Sequence, residues 1–420
     1  MSRYNYRENT AGTLDSTHIY YNINYANPNT GTGVSADGNT LIEFPTDDLE
    51  LNFNFNQSRA SAYLQCPEDY YLSVVRFTIE SPNIPLFCVQ PILGSMDPND
   101  TIYYVTIMEV STNIPYSRSV RWVPQDLDPN VTPPPVPIQQ STISPTDPYY
   151  YCNSYTYFVE CINATFKEIW TQDLGQTNLD ACPYVYYDAK TNLFQLGAVL
   201  SFRTNTTGVP LSLYSIFFNT PLFNLMSSLP SSYVAGTVNV SSGYSNLQLD
   251  YRMILSTGTD VSSGVQPYIT NIRLNPRTNN VNVFAVQEYS TLSLWTPVQS
   301  IVLKTSLLTT RPEIIGTPVV YSNNSVNINA ARQNADILNI LSDDFAPVVS
   351  GNQYKPFIYY QPTGEYKLTE LYGWDPIQAI DISAFWRDKF GNLIPFKIGL
   401  SCSATIKILF RKKTFNSDKF

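Results

Sequence analysis

The side chains able to do chemistry in this sequence are few, and their spacing argues against their use. One imidazole exists, His18, in a polar N-terminal stretch, so the commonest general base and metal ligand is missing from every segment that could line a pocket. A serine or cysteine nucleophile would have to borrow it from the end of the chain. The six cysteines, Cys66, Cys88, Cys152, Cys161, Cys182 and Cys402, include no CxxC pair; with one histidine they make no ordinary zinc set and read as small buried hydrophobes. Adjacent acids at Asp47-Asp48, Glu68-Asp69 and Asp343-Asp344 could in principle divide acid and base roles between them, but such pairs at turns and element ends ordinarily solvate a loop. Asp97, Asn99 and Asp100 in SMDPNDT offer oxygens to a hard cation, three positions of the roughly six to eight that calcium takes. No GxxxxGKS/T or GxGxxG loop is present to cradle a phosphate. An enzyme is therefore disfavoured, and no cofactor or metal is expected.

What the sequence has in quantity is contact surface. In 420 residues it holds 31 Tyr, 21 Phe and 30 Pro, with only 14% charged side chains. Tyr, Asn, Ser and Thr supply flat, hydrogen-bonding area at low conformational-entropy cost. The net charge of −9 is uneven: from Trp386 onward Arg387, Lys389, Lys397, Lys407, Arg411, Lys412, Lys413 and Lys419 face only Asp388 and Asp418. Lys407, Arg411, Lys412 and Lys413 thus make a basic edge able to approach a polyanion, or a solvated chain end. Basic residues are too sparse among the other aromatics for a nucleic-acid stacking platform. No run approaches the roughly 20 apolar residues of a spanning helix, and MSRYNYRENT lacks the apolar core of a secretory signal, which points to folding in cytosol or nucleus.

The elements that would position these surfaces are mostly strands. Residues 1–40, rich in Asn, Thr, Gly and Tyr, read as an extended arm that orders on a partner, with Tyr4, Tyr6, Tyr20 and Tyr21 among its contacts. From Leu41 the period becomes two: Leu49, Leu51, Phe53 and Phe55 alternate with Glu50, Asn52, Asn54 and Asn56. Core strands are predicted over 71–79, 101–110, 298–304, 380–386 and 403–410, and shorter ones over 120–123, 250–256, 268–274, 281–287 and 357–360. Residues 124–148, PQDLDPNVTPPPVPIQQSTISPTDP, form a Pro-rich crossing, since proline donates no ladder hydrogen bond. Beyond it Ile162, Phe166, Ile169 and Trp170 predict a helix, 184–200 a hairpin, and Asn219-Thr220-Pro221 a capped helical turn. A second helix is expected over 330–341. Many short strands with few helices mean an all-β sandwich or barrel, and the long loops fit a jelly roll with a large insertion. An echo between Ser73–Thr78 and Ser300–Thr305 keeps two tandem jelly rolls as the alternative.

Certain strings resemble a known family. Tyr70-Tyr71-Leu72-Ser73-Val74-Val75-Arg76-Phe77 followed by Ile84-Pro85-Leu86-Phe87, Trp295-Thr296-Pro297-Val298-Gln299-Ser300-Ile301-Val302, Trp386-Arg387-Asp388-Lys389-Phe390-Gly391-Asn392-Leu393 and Ile406-Lys407-Ile408-Leu409-Phe410-Arg411-Lys412-Lys413 are similar to the minor capsid (penton) proteins of polinton-like, adintovirus-like and virophage-like DNA viruses. The resemblance implies a jelly roll that packs against its own copies around a five-fold axis in the virion, beside neighbouring capsid proteins, with an insertion projecting between strands and no catalytic residues. The base would then come from residues 41–123 and 295–413, the insertion from 149–294, and a tail from 414–420, with the basic edge turned toward packaged DNA. Tandem rolls would instead form trimers of a major capsid protein. A carbohydrate-binding β-sandwich is the rival from another class, and a glycosidase acting through paired carboxylates comes third.

Overall fold

The computed structural model describes residues 18–27, 32–34, 41–43, 51–80, 85–92, 95, 97–124, 148–204, 207–238, 247–255, 270–274, 281–315, 320–322, 325–327, 336–345, 357–360, 367–389, 391–399 and 402–413. Its contacts divide the chain into two units, one drawn from Met1–Ile84, Val298–Pro347 and Lys355–Phe420, the other from Pro85–Pro297 and Val348–Tyr354.

The first unit is a sandwich whose sheets each combine strands from both ends of the chain. One sheet runs in the order His18–Ala26, Ser403–Lys412, Tyr70–Glu80, Phe357–Tyr360, with Thr369–Glu370 also paired to Tyr70–Glu80. The other runs Ile340–Phe345, Val298–Lys304, Ala379–Asp388, and the last of these is bordered by Leu393–Pro395 and Asn54–Ser58. All these pairs are antiparallel. Period-two alternation explains the burial: Ala404, Ile406, Ile408 and Phe410 point inward from one strand, Ile380, Ile382, Ala384 and Trp386 from another. The sheets meet through aromatic contacts. The Tyr25 ring lies 4.9 Å from Phe53, its hydroxyl donates to the Asn52 carbonyl at 3.1 Å, and the Asn27 amide donates to the Ile398 carbonyl at 3.0 Å.

Two sequence expectations change here. The stretch expected to be an extended arm ordering on a partner contains the strand His18–Ala26, paired within its own chain over its full length from His18↔Arg411 to Ala26↔Ser403; Ile19, Tyr21, Ile23 and Tyr25 give it an inward face. Within the expected helix 330–341, the described part is extended, as Asp336–Leu338 and the start of Ile340–Phe345. Short apolar runs fit either period, and pairing with Val298–Lys304 decides this one. The two echoing segments are the inner strands of opposite sheets of one sandwich. The chain holds a jelly-roll sandwich with an inserted unit rather than two consecutive rolls.

The second unit surrounds the helix Tyr155–Glu168 with two sheets. Their orders are Ser231–Val238, Leu247–Met253, Tyr214–Phe218, Asp100–Glu109, Ile114–Arg121, and Tyr184–Asp188, Leu193–Val199, Val281–Val286, Thr270–Leu274. Asp100–Glu109 and Ile114–Arg121 were expected in the first part of the sandwich, but they pair within this unit because Tyr214–Phe218 completes their sheet. The expected Pro-rich crossing lies, from 125 to 147, outside the described residues.

Ser154 caps the helix by accepting the Tyr157 N–H at 3.3 Å, and Ile162, Phe166, Ile169 and Trp170 are buried core. At the centre Trp295 stacks on Phe194, centroids 4.9 Å apart and planes 11° from parallel, and meets Phe158 edge-on at 5.6 Å. Its indole N–H donates to the Leu225 carbonyl at 2.8 Å. Asn219 caps its helical turn by accepting the Leu222 N–H at 3.3 Å; the same side chain accepts the Tyr104 N–H and donates to the Ile102 carbonyl. Arg118 ties sheet to helix end, with its fork on Asp173 at 2.8 Å and on Glu168 at 3.2 Å.

Candidate assembly surfaces

The chemistry-bearing residues are built into the structure. Burial pushes the Cys152, Cys161 and Cys182 thiols up to about 12, which leaves essentially no thiolate at neutral pH. His18 opens the edge strand opposite Arg411. Among the described residues no group of three or more His, Cys, Asp or Glu could hold a metal. In the SMDPNDT loop, Asp97 accepts the Asn99 N–H at 2.9 Å and pairs with Arg121 at 3.0 Å, Asp100 accepts the Ser95 and Ser119 hydroxyls, and Asn99 accepts the Tyr149 hydroxyl. Those oxygens tie the loop to protein donors. Glu68-Asp69 sits in the short helix Pro67–Asp69, Asp343-Asp344 in Ile340–Phe345, and Asp47-Asp48 outside the described residues.

The strand register gathers the basic edge on the outward face of the first sheet. His18, Arg411 and Tyr71 form one cross-strand row, and Asn22, Lys407 and Arg76 another. A bulge at Val75 separates the rows, because Lys407 faces Arg76 while Ile408 faces Val74. The Lys407 ammonium stands 4.7 Å from the Tyr20 ring centroid and that of Lys413 5.0 Å from Tyr71, so tyrosine faces hold the cations in place. Lys412, opposite Tyr70, is half-buried at the strand's end. Tyr20 is 51% exposed. Tyr21 points the other way: its ring meets Tyr63 edge-on at 5.1 Å and its hydroxyl donates to Gln57 on the facing sheet. Burial and the Tyr63 hydroxyl raise its pKa. Tyr21 therefore fastens the sandwich from within, while Tyr4 and Tyr6 lie outside the described residues.

A second exposed cluster in the sandwich carries no sequence signal. Trp374 is 67% exposed, beside Tyr372 and Leu307. The two loops are clipped together by the Tyr372 N–H on the Thr309 carbonyl at 2.9 Å. Asp381 secures the Leu307 side by accepting the Thr305 hydroxyl, the Ser306 N–H and hydroxyl, and the Leu307 N–H, all within 2.8 Å. Burial alone would raise the Asp381 pKa, but the bonds from Ser306, Thr305 and Leu307 outweigh it and hold the carboxyl below its ordinary range. These residues are far apart in sequence, and only the pairing of distant strands brings them together.

A sandwich that pairs His18–Ala26 with Ser403–Lys412 and carries an inserted unit is a jelly roll with an insertion. The family model described as Sputnik minor capsid protein V18/19 matches residues 19–412, and the chain belongs to that family. Among its relatives, structural protein V19 of Sputnik virophage is 26% identical over 235 residues, 55% of this chain and 94% of that protein. Protein V18 of the same virophage is 34% identical over 146 residues, 34% of this chain and 85% of that protein. Among solved structures, a chain of the Sputnik virophage particle aligns with a TM-score of 0.69 at 24% identity, covering 94% of this chain and 98% of that one. The mavirus penton protein aligns at 0.58 and 15%, covering 94% and 99%. The chain is thus a structural component of a virus capsid and a constituent of the virion.

Proposed function

We propose that this chain is the penton subunit, five copies closing a ring at each five-fold vertex of an icosahedral capsid and meeting neighbouring capsid proteins there. The observation that carries this is the connectivity: one sandwich made of both chain ends around one internal unit, matched along nearly its whole length by the fold of the mavirus penton protein. Tandem rolls, the basis of a trimeric shell protein, would each be continuous in sequence. The role is structural and needs no catalysis, in keeping with thiols held protonated by burial. The Lys407–Arg411 face is the side suited to packaged DNA.

Light scattering of the purified chain with negative-stain microscopy tests the proposal. Pentamers with five-fold averages are expected; trimers of pseudo-hexagonal outline would overturn it, and a stable monomer would favour a carbohydrate-binding sandwich. DNA retention should fall with salt and fall further in a Lys407→Ala/Arg411→Ala variant.

A further inference from the structure

The second unit carries a surface that its own fold does not use. Leu200, Val209, Leu211 and Leu213 are 44%, 52%, 52% and 61% exposed. Four large side chains left about half in water make a patch at the lower end of the roughly 300–600 Å² that is often functional on a monomer.

The loop bearing them is strapped down. The Leu211 N–H donates to the Arg203 carbonyl at 2.9 Å, the Ser212 hydroxyl to the Leu200 and Arg203 carbonyls at 2.8 and 3.1 Å, and the Val110 N–H to the Leu213 carbonyl at 2.8 Å. Gly208, at φ +83°, lets the chain pass so close to Ser232 that a Cβ there would stand 2.5 Å from its hydroxyl oxygen, which seats the loop on the strand Ser231–Val238. The apolar groups are held outward by hydrogen bonds, and binding them would order nothing new.

Charge says what covers the patch. Between Lys190 and Asp250 the only charged residue is Arg203, and Arg252 engages the loop itself, its guanidinium donating to the Gly208 carbonyl at 3.2 Å. Two guanidiniums, one of them bound to the backbone, are too few for nucleic acid or anionic lipid, while the low charge suits a protein face of like kind. Its area is somewhat under half of the ~800 Å² that each partner buries in a standard interface.

We infer that this patch is a subunit-to-subunit contact, occupied by a second copy of the chain in the ring. The inference rests on the penton reading and adds where one face of its interface lies. A ring of five uses a heterologous contact, so the patch meets a different surface of its neighbour.

The test uses the full chain with Leu211→Asp/Leu213→Asp and, in parallel, Leu211→Ala/Leu213→Ala, which keeps the loop neutral. Light scattering reads the assembly state, and circular dichroism with thermal melting reads the fold. The wild type is expected as pentamers, the Asp pair as folded monomers, and the Ala pair as pentamers whose dissociation constant rises about tenfold or more. Folded pentamers of undiminished affinity in the Ala pair overturn the contact and leave the penton reading standing, and they do so even if the Asp pair fails to fold. A wild type that forms no pentamer at any concentration overturns the penton reading and the contact together.

Discussion

The sandwich and the inserted unit build cores of opposite kinds. In the sandwich, aliphatic side chains alternate along strands drawn from the first 80 residues and from beyond residue 297, so its order depends on register between distant segments. The described strands and helices of the inserted unit all come from Pro85–Pro297, and it closes on a cluster of rings, with Phe87, Phe158 and Phe194 centroids 5.0, 5.6 and 4.9 Å from that of Trp295. One unit is specified by pairing, the other by shape. Damage to either should stay local.

The severest test of that separation is removal of residues 1–27. This bares one edge of Ser403–Lys412 and takes away Tyr21 and Tyr25, so the sandwich should lose more stability than any single substitution costs and gain edge-to-edge aggregation. Calorimetry should then show one displaced transition and one near its original temperature; a single transition moving as a whole would break the comparison. Trp295→Ala should do the converse, costing about 3–5 kcal/mol. Hydrogen exchange should quicken in Tyr155–Glu168 while Tyr70–Glu80 keeps its protection.

Asp381→Asn should cost about 1.5–3 kcal/mol, in the sandwich alone, since hydrogen bonds to a charged acceptor weaken or break. The Asp381 carboxyl is depressed in the folded state, so its contribution is complete above the ordinary carboxylate pKa and disappears as pH falls through the lower folded value. Acid titration of the wild type and the Asn variant should therefore converge at low pH. The smallest effect belongs to Tyr20→Ala, about 0.5–1 kcal/mol from one exposed cation–π contact, measurable as coupling to Lys407 in a double-mutant cycle.

The same contrast governs what could be read from the residues alone. The inserted unit's helix, hairpin and Asn219 cap were legible because their signals are local: spacing of Ile162 and Phe166, a turn at Asp188–Asn192, an Asn before Thr-Pro. Strands of the sandwich were legible where Phe53 and Phe55 alternate with Asn. The strand at His18–Ala26 was harder, because Tyr occurs on both of its faces and blurs the alternation. The basic edge was visible as a cluster, but its division into an outward face with Lys407 and Arg411 and a half-buried Lys412 comes from register. The Trp374 loop and the patch around Leu211 had no periodic signature, since exposed apolar residues on loops look like core until the fold shows them outside.

The pairing of His18–Ala26 with Ser403–Lys412 also sets an order in time. During synthesis the inserted unit has all its strands available once Pro297 has emerged, whereas the sandwich lacks the strand at the middle of one sheet until residue 412 leaves the ribosome. His18–Ala26 waits for Ser403–Lys412. Chains that stop short of residue 412 therefore lack a closed sandwich, and none of them can offer one to a growing shell.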